Sequence, residues 1–140
     1  MAFPIQQQVI DFHTTFGHPA RDVPQVIGER EANLAFGFIE EELAELAEAL
    51  YPPVPCDCGN TDCDAQMGGD PYNPDLIEVA DALGDVVFTA FGMAARHGID
   101  LDAVLREICA SNMSKTANGQ NKILKGEGYF PPNIARALGL

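Results

Sequence analysis

Four stretches of this chain carry apolar side chains at helical spacing, Gly- or Pro-marked breaks separate them, and no stretch alternates apolar with polar residues as a half-buried strand would. The first helix is expected over about Ile5 to Phe16, with Pro4 at its start, Ile5, Val9, Phe12 and Phe16 at helical intervals, and Gly17 ending it. The second spans roughly Gly28 to Leu50 and is closed by Pro52-Pro53. The third spans roughly Asp75 to His97, opened by Asn73-Pro74 and closed by Gly98. The fourth begins at an N-cap, Asp100, turns Leu101, Val104, Leu105 and Ile108 inward, and runs to about Ser114. There is no internal repeat. The expected fold is all-α, and 140 residues with 46% hydrophobic content suit one domain over residues 1–140, with a loop insertion at about 51–74 and a basic tail from about 116.

Two acidic clusters lie inside the second and third helices: Glu41-Glu42-Leu43-Ala44-Glu45, and the run from Glu78 through Asp81 to Asp85. At roughly 100° per residue, Glu41, Glu45 and Glu48 share an arc with Glu42 beside it, and Glu78, Asp81 and Asp85 share another. A solvated face is the ordinary explanation of such arcs, because Ala35, Ile39, Leu43, Leu46 and Leu50 can face a core on the opposite side. Against it, Leu34 and Phe38 begin the same side of the second helix as Glu42 and Glu45, so the acids continue a contact face. Like charges at i and i+4, such as Glu41 with Glu45 or Asp81 with Asp85, also oppose helix formation. Carboxylates held between helices need a compensating cation, and an all-oxygen set suits Mg²⁺ or Mn²⁺.

The net charge of −13 and the pI near 4.3 disfavour nucleic acid and anionic membrane surfaces as partners. The sequence shows neither a membrane-length apolar run nor a secretion-signal pattern, so a cytoplasmic location is expected. Three cysteines, Cys56, Cys58 and Cys63, cluster in the insertion. Two readings stay open for them: free thiols on a loop, or a structural Zn²⁺ site needing a fourth ligand such as Asp57, Asp62, Asp64 or a cysteine of a second subunit. Cys109 reads as a small core residue. The histidines, His13, His18 and His97, lack metal-ligand spacing and read as surface or capping groups.

Basic residues concentrate near the C-terminus: Arg106, Lys115, Lys122, Lys125 and Arg136 are five of the eight. Lysines after a helix can simply complement its dipole. Beside an acidic metal cage they also outline a pocket for phosphate and metal.

The EE-x-x-E helix, the acidic third helix, the Gly98-Ile99-Asp100-Leu101-Asp102 turn, the Ser111-Asn112-Met113-Ser114-Lys115 segment and the Leu124 to Pro132 pattern L-K-G-x-G-Y-F-P-P together resemble the MazG-like, all-α nucleoside triphosphate pyrophosphohydrolases, in a phage and bacterial branch related to phosphoribosyl-ATP pyrophosphohydrolase. The resemblance covers roughly residues 5–136 apart from the insertion. It implies a four-helix, MazG-like bundle completed by dimerisation, working as a homodimer or tetramer. The implied reaction is metal-dependent hydrolysis of a (deoxy)nucleoside triphosphate to the monophosphate and pyrophosphate, a nucleotide-pool house-cleaning activity in which dUTP- or dCTP-like substrates fit.

By the resemblance, Glu42 and Glu45 are metal ligands and Glu41 activates water. On the third helix two registers compete. The Gly-Asp-Val-Val run makes Asp85 the ligand and leaves Ala82 where a glutamate belongs, whereas spacing alone gives Glu78 and Asp81. Asp85 is favoured, with Asp81 or Glu78 replacing the missing glutamate. Asn112 and Lys115 match the nucleotide-contacting segment, and Lys125 and Tyr129 are tail contacts. No phosphate-cradling glycine loop or nucleophile triad competes. Phosphoribosyl-ATP as substrate, and a noncatalytic helical dimerisation or regulatory module, are the rivals.

Overall fold

A computed structural model describes residues 4–52, 72–117 and 122–140. The elements are α1 (Ile5–Phe16), α2 (Glu29–Leu50), α3 (Leu76–His97), α4 (Leu101–Met113), β1 (Thr116–Ala117), β2 (Ile123–Leu124) and α5 (Ile134–Ala137). The expected all-α fold holds, with a two-stranded ribbon as its only sheet among the described residues. The chain divides into two compact units, Gly28–Met93 and Met1–Ile27 with Ala94–Leu140. No described helix is long and apolar enough to cross a membrane.

The Gly28–Met93 unit contains α2 and most of α3. Gly28 caps α2, its carbonyl accepting from Ala32 N at 2.9 Å, and Glu29 and Glu31 in the first turn complement the helix dipole. Asp75 caps α3: its Oδ1 accepts from Ile77 N at 2.7 Å and its carbonyl from Val79 N at 3.0 Å. The Tyr51 and Tyr72 rings lie 6.0 Å apart, tying the end of α2 to the approach to α3. Ala35, Ala82 and Phe91 are buried; of the rest of the α2 stripe that can face a core, Ile39, Leu46 and Leu50 are half-buried and Leu43 is exposed, as are Leu34, Phe36, Leu76, Leu83 and Val87.

In the other unit both predicted glycine stops are Schellman turns. His18 N donates to His13 O at 2.8 Å beyond Gly17 (φ 70°), and Ile99 N donates to Ala94 O at 2.9 Å beyond Gly98 (φ 68°). The segment after α1 is tied to the end of α3 by Arg21 N→Ala95 O (3.0 Å) and Gln25 N→His97 O (2.9 Å). Gln6 joins α1 to the start of α4, donating to Ile99 O at 2.6 Å and accepting from Leu101 N at 2.7 Å. Asp100 caps α4 as expected, accepting from Ala103 N at 2.9 Å.

Val9, Ile27, Ala94 and Ala95 form the apolar core, with His13, Arg96 and Ser111 buried beside them. Two expectations fail in this unit. His13 is a core group rather than a surface or capping one, because its Nδ1–H finds an acceptor in Pro19 O at 2.7 Å. Cys109, expected inside, is exposed on α4. Leu105 also points outward, while Leu101, Val104 and Ile108 are half-buried.

Candidate functional site

Part of the acidic set of α2 and α3 meets within the Gly28–Met93 unit, in a groove that Glu41, Glu42 and Asp85 do not line. Glu45, Glu48 and Ala49 of α2 and Glu78, Asp81 and Ala82 of α3 line this groove, together with Pro52, Asn73 and Asp75. Its volume of about 530 Å³ lies in the range of small-molecule sites. The helices run antiparallel here: Glu48 and Ala49 at the end of α2 share the groove with Glu78 at the start of α3, and one to two turns along, Glu42 lies in the field of Asp85. Ala82 is buried in the groove wall, with Asp81 and Glu78 also lining it. Both candidates to replace the absent glutamate therefore reach the same space.

Electrostatics single out Glu42. Its carboxyl titrates above its ordinary value, first because burial penalises the charged form and then because Asp85, Glu45 and Glu41 repel it. These are hard oxygen donors whose charges reach one another across two helices, and their chemistry fits a divalent cation. Among the described residues no three His, Cys, Asp or Glu side chains are gathered closely enough to hold an ion as they stand.

Glu48, Asn73 and Asp75 were not expected in the site. Glu48 shares the arc of Glu41 and Glu45, a signal that could have included it. Asp75 offered only the signature of a helix start, and its Oδ1 does serve as the α3 cap.

The residues expected to touch nucleotide belong to the other unit. Lys115 Nζ donates to Asn112 Oδ1 at 2.8 Å at the end of α4, and Lys125 Nζ stands 4.9 Å above the Tyr129 ring. Cys56, Cys58 and Cys63, with the zinc reading attached to them, lie outside the described residues.

The sequence profile of the phosphoribosyl-ATP pyrophosphohydrolase family matches residues 9–112. All six acidic candidates fall inside the match, and Lys115, Lys125 and Tyr129 fall beyond its end. The chain is also 31% identical over 100 residues to Uncharacterized protein L479 of Acanthamoeba polyphaga mimivirus. That similarity covers 69% of this chain and 32% of the mimivirus protein, so the chain spans about a third of its relative.

Proposed function

Because the chain belongs to the phosphoribosyl-ATP pyrophosphohydrolase family, whose members are pyrophosphohydrolases of nucleotide-like substrates and generally depend on a divalent metal, we propose that it hydrolyses a (deoxy)nucleoside triphosphate to the monophosphate and pyrophosphate. The observation that carries this reading is the repulsion of Glu42 by Asp85, Glu45 and Glu41, since like charges set near one another across two helices are relieved by a cation.

Glu42, Glu45 and Asp85, with Asp81 or Glu78, would hold Mg²⁺ or Mn²⁺, which when bound neutralises triphosphate charge and lowers the pKa of water. Glu41 would take the proton of the attacking water at its carboxylate. Asn112, Lys115, Lys125 and Tyr129 would bind the substrate, the lysines by their charge on phosphate oxygens. The exposed apolar residues of α2 and α3 support a homodimer in which a second copy covers them.

The test is pyrophosphate release from a panel of deoxynucleoside triphosphates with Mg²⁺, by the parent chain and by Glu45→Gln. Turnover lost on substitution is expected. Absence of turnover would favour the noncatalytic module, and turnover that survives in Glu45→Gln would remove Glu45 from the proposed metal site. The name of the matching family favours a second substrate, phosphoribosyl-ATP, which belongs in the same panel. Hydrolysis of that compound alone would transfer the reading to it.

A further inference from the structure

The C-terminal segment that carries the proposed substrate contacts closes on itself, and two serines close it. Leaving α4, the backbone passes Lys115 and pairs β1 with β2 in the register Thr116↔Leu124 and Ala117↔Ile123. It then turns at Gly126, whose carbonyl accepts from Tyr129 N at 3.0 Å. At Phe130 it returns to the helix end it left. Ser111 Oγ donates to Phe130 O at 2.9 Å, and Phe130 N donates to Ser114 Oγ at 3.1 Å. Ser114 Oγ gives its own proton to Ser111 O at 2.6 Å.

Both polar backbone atoms of one residue are therefore held by a pair of hydroxyls. A capping serine bonds within its own helix, but these reach a residue 19 and 16 positions further along the chain. Ser111 is only 3% exposed, so replacing it would leave Phe130 O without that partner in a partly buried place. Met113, Ile123 and Phe130 are all at least half exposed, so these side chains add little apolar packing to the closure, which Glu107 of α4 also holds three residues on, accepting from Asn133 N at 3.1 Å.

We propose that Ser111 and Ser114 are positioning residues: a two-hydroxyl clasp that fixes Lys125 and Tyr129 against the Asn112–Lys115 end of α4 so that the lysines present a preformed cationic surface to an anionic substrate. The inference rests on the reading of Lys115 and Lys125 as substrate contacts. A preformed surface lowers the ordering cost of binding, so losing the clasp weakens binding and spares the chemical step.

The experiment uses the full chain with Mg²⁺ and the triphosphate it turns over fastest, comparing Ser111→Ala, Ser114→Ala, Ser114→Thr and Lys115→Ala. The alanine variants are expected to raise KM by about five- to tenfold, the weight of one or two ordinary hydrogen bonds, with kcat within about twofold of the parent. Ser114→Thr, which keeps the hydroxyl, restores KM. Hydrogen exchange at the Phe130 amide accelerates in Ser114→Ala, a readout that holds even if Ser111→Ala does not fold. Unchanged KM in Ser114→Ala while Lys115→Ala raises it overturns the clasp and leaves the substrate reading standing. Unchanged KM in Lys115→Ala overturns both, and a fall in kcat without a rise in KM overturns the clasp.

Discussion

Glu42 of α2 lies in the field of Asp85 of α3, and after burial that charge is the largest influence holding the Glu42 carboxyl above its ordinary value of 4.5. Two helices thus bring together like charges that neither helix would gather alone. Such an arrangement is unfavourable unless a proton or a cation offsets the repulsion.

A carboxyl whose folded pKa is raised keeps its proton longer in the folded state, so its contribution to stability is present below 4.5 and is lost as pH rises through the raised value. Glu42→Gln is expected to stabilise the metal-free chain above that window, by an amount on the order of the few tenths of a kcal/mol typical of like-charge helix pairs. Thermal unfolding against pH in EDTA, parent against variant, measures this.

Divalent metal is expected to reverse the balance. At a concentration about 100 times its Kd, Mg²⁺ or Mn²⁺ should stabilise the parent by about 2.7 kcal/mol. Asp85→Asn should lose most of that gain, and differential scanning calorimetry with and without metal reads the difference.

His13 carries the opposite sign. Burial lowers its pKa below 6.5; the hydrogen bond to Pro19, next in size, opposes this, and the Arg96 and His18 charges add to the lowering. The unfolded chain therefore binds the proton more readily, and stability falls as pH drops below 6.5. Arg96 donates to His18 Nδ1 at 3.1 Å and the His13 and His18 rings are 5.5 Å apart, so a proton on the His13 ring meets the positive charge of Arg96 nearby. A titration of the His13 ring resonances should give a midpoint below 6.5, and His13→Gln should flatten the acid limb of thermal stability.

Gly98 tests the backbone directly. With φ at 68° and the Val23 and Arg21 carbonyls against the place a Cβ would occupy, Gly98→Ala combines left-handed strain with a backbone collision. A loss on the order of 1–3 kcal/mol is expected, read by urea unfolding, whereas Gly17→Ala meets no neighbour and should lose less.

The helices are legible in the sequence because their boundaries are local: Gly17 and Gly98 adopt the left-handed turn that glycine favours, and Asp100 and Asp75 supply their own caps. The ribbon and α5 are not legible, because strands of two residues and a one-turn helix have no periodicity and depend on distant partners. For α5 the partner is Glu107, which binds Arg136 and accepts from Asn133 N at 3.1 Å. Burial of His13 is not legible for the same reason, its acceptor being a carbonyl in the following loop. The acidic arcs are legible as a candidate site, but the sharing of one groove by Glu48, Asp75, Glu78 and Asp81 depends on the antiparallel register of α2 and α3, which composition does not encode.

Manganese titration followed by electron paramagnetic resonance, on the parent chain and on Glu42→Gln and Asp85→Asn, tests the carboxylate site most directly. Loss of the free-ion signal with the parent, and its persistence with either variant, is the expected result. A parent chain that leaves the free-ion signal intact, or variants that bind as well as the parent, would contradict a cation held between these two helices.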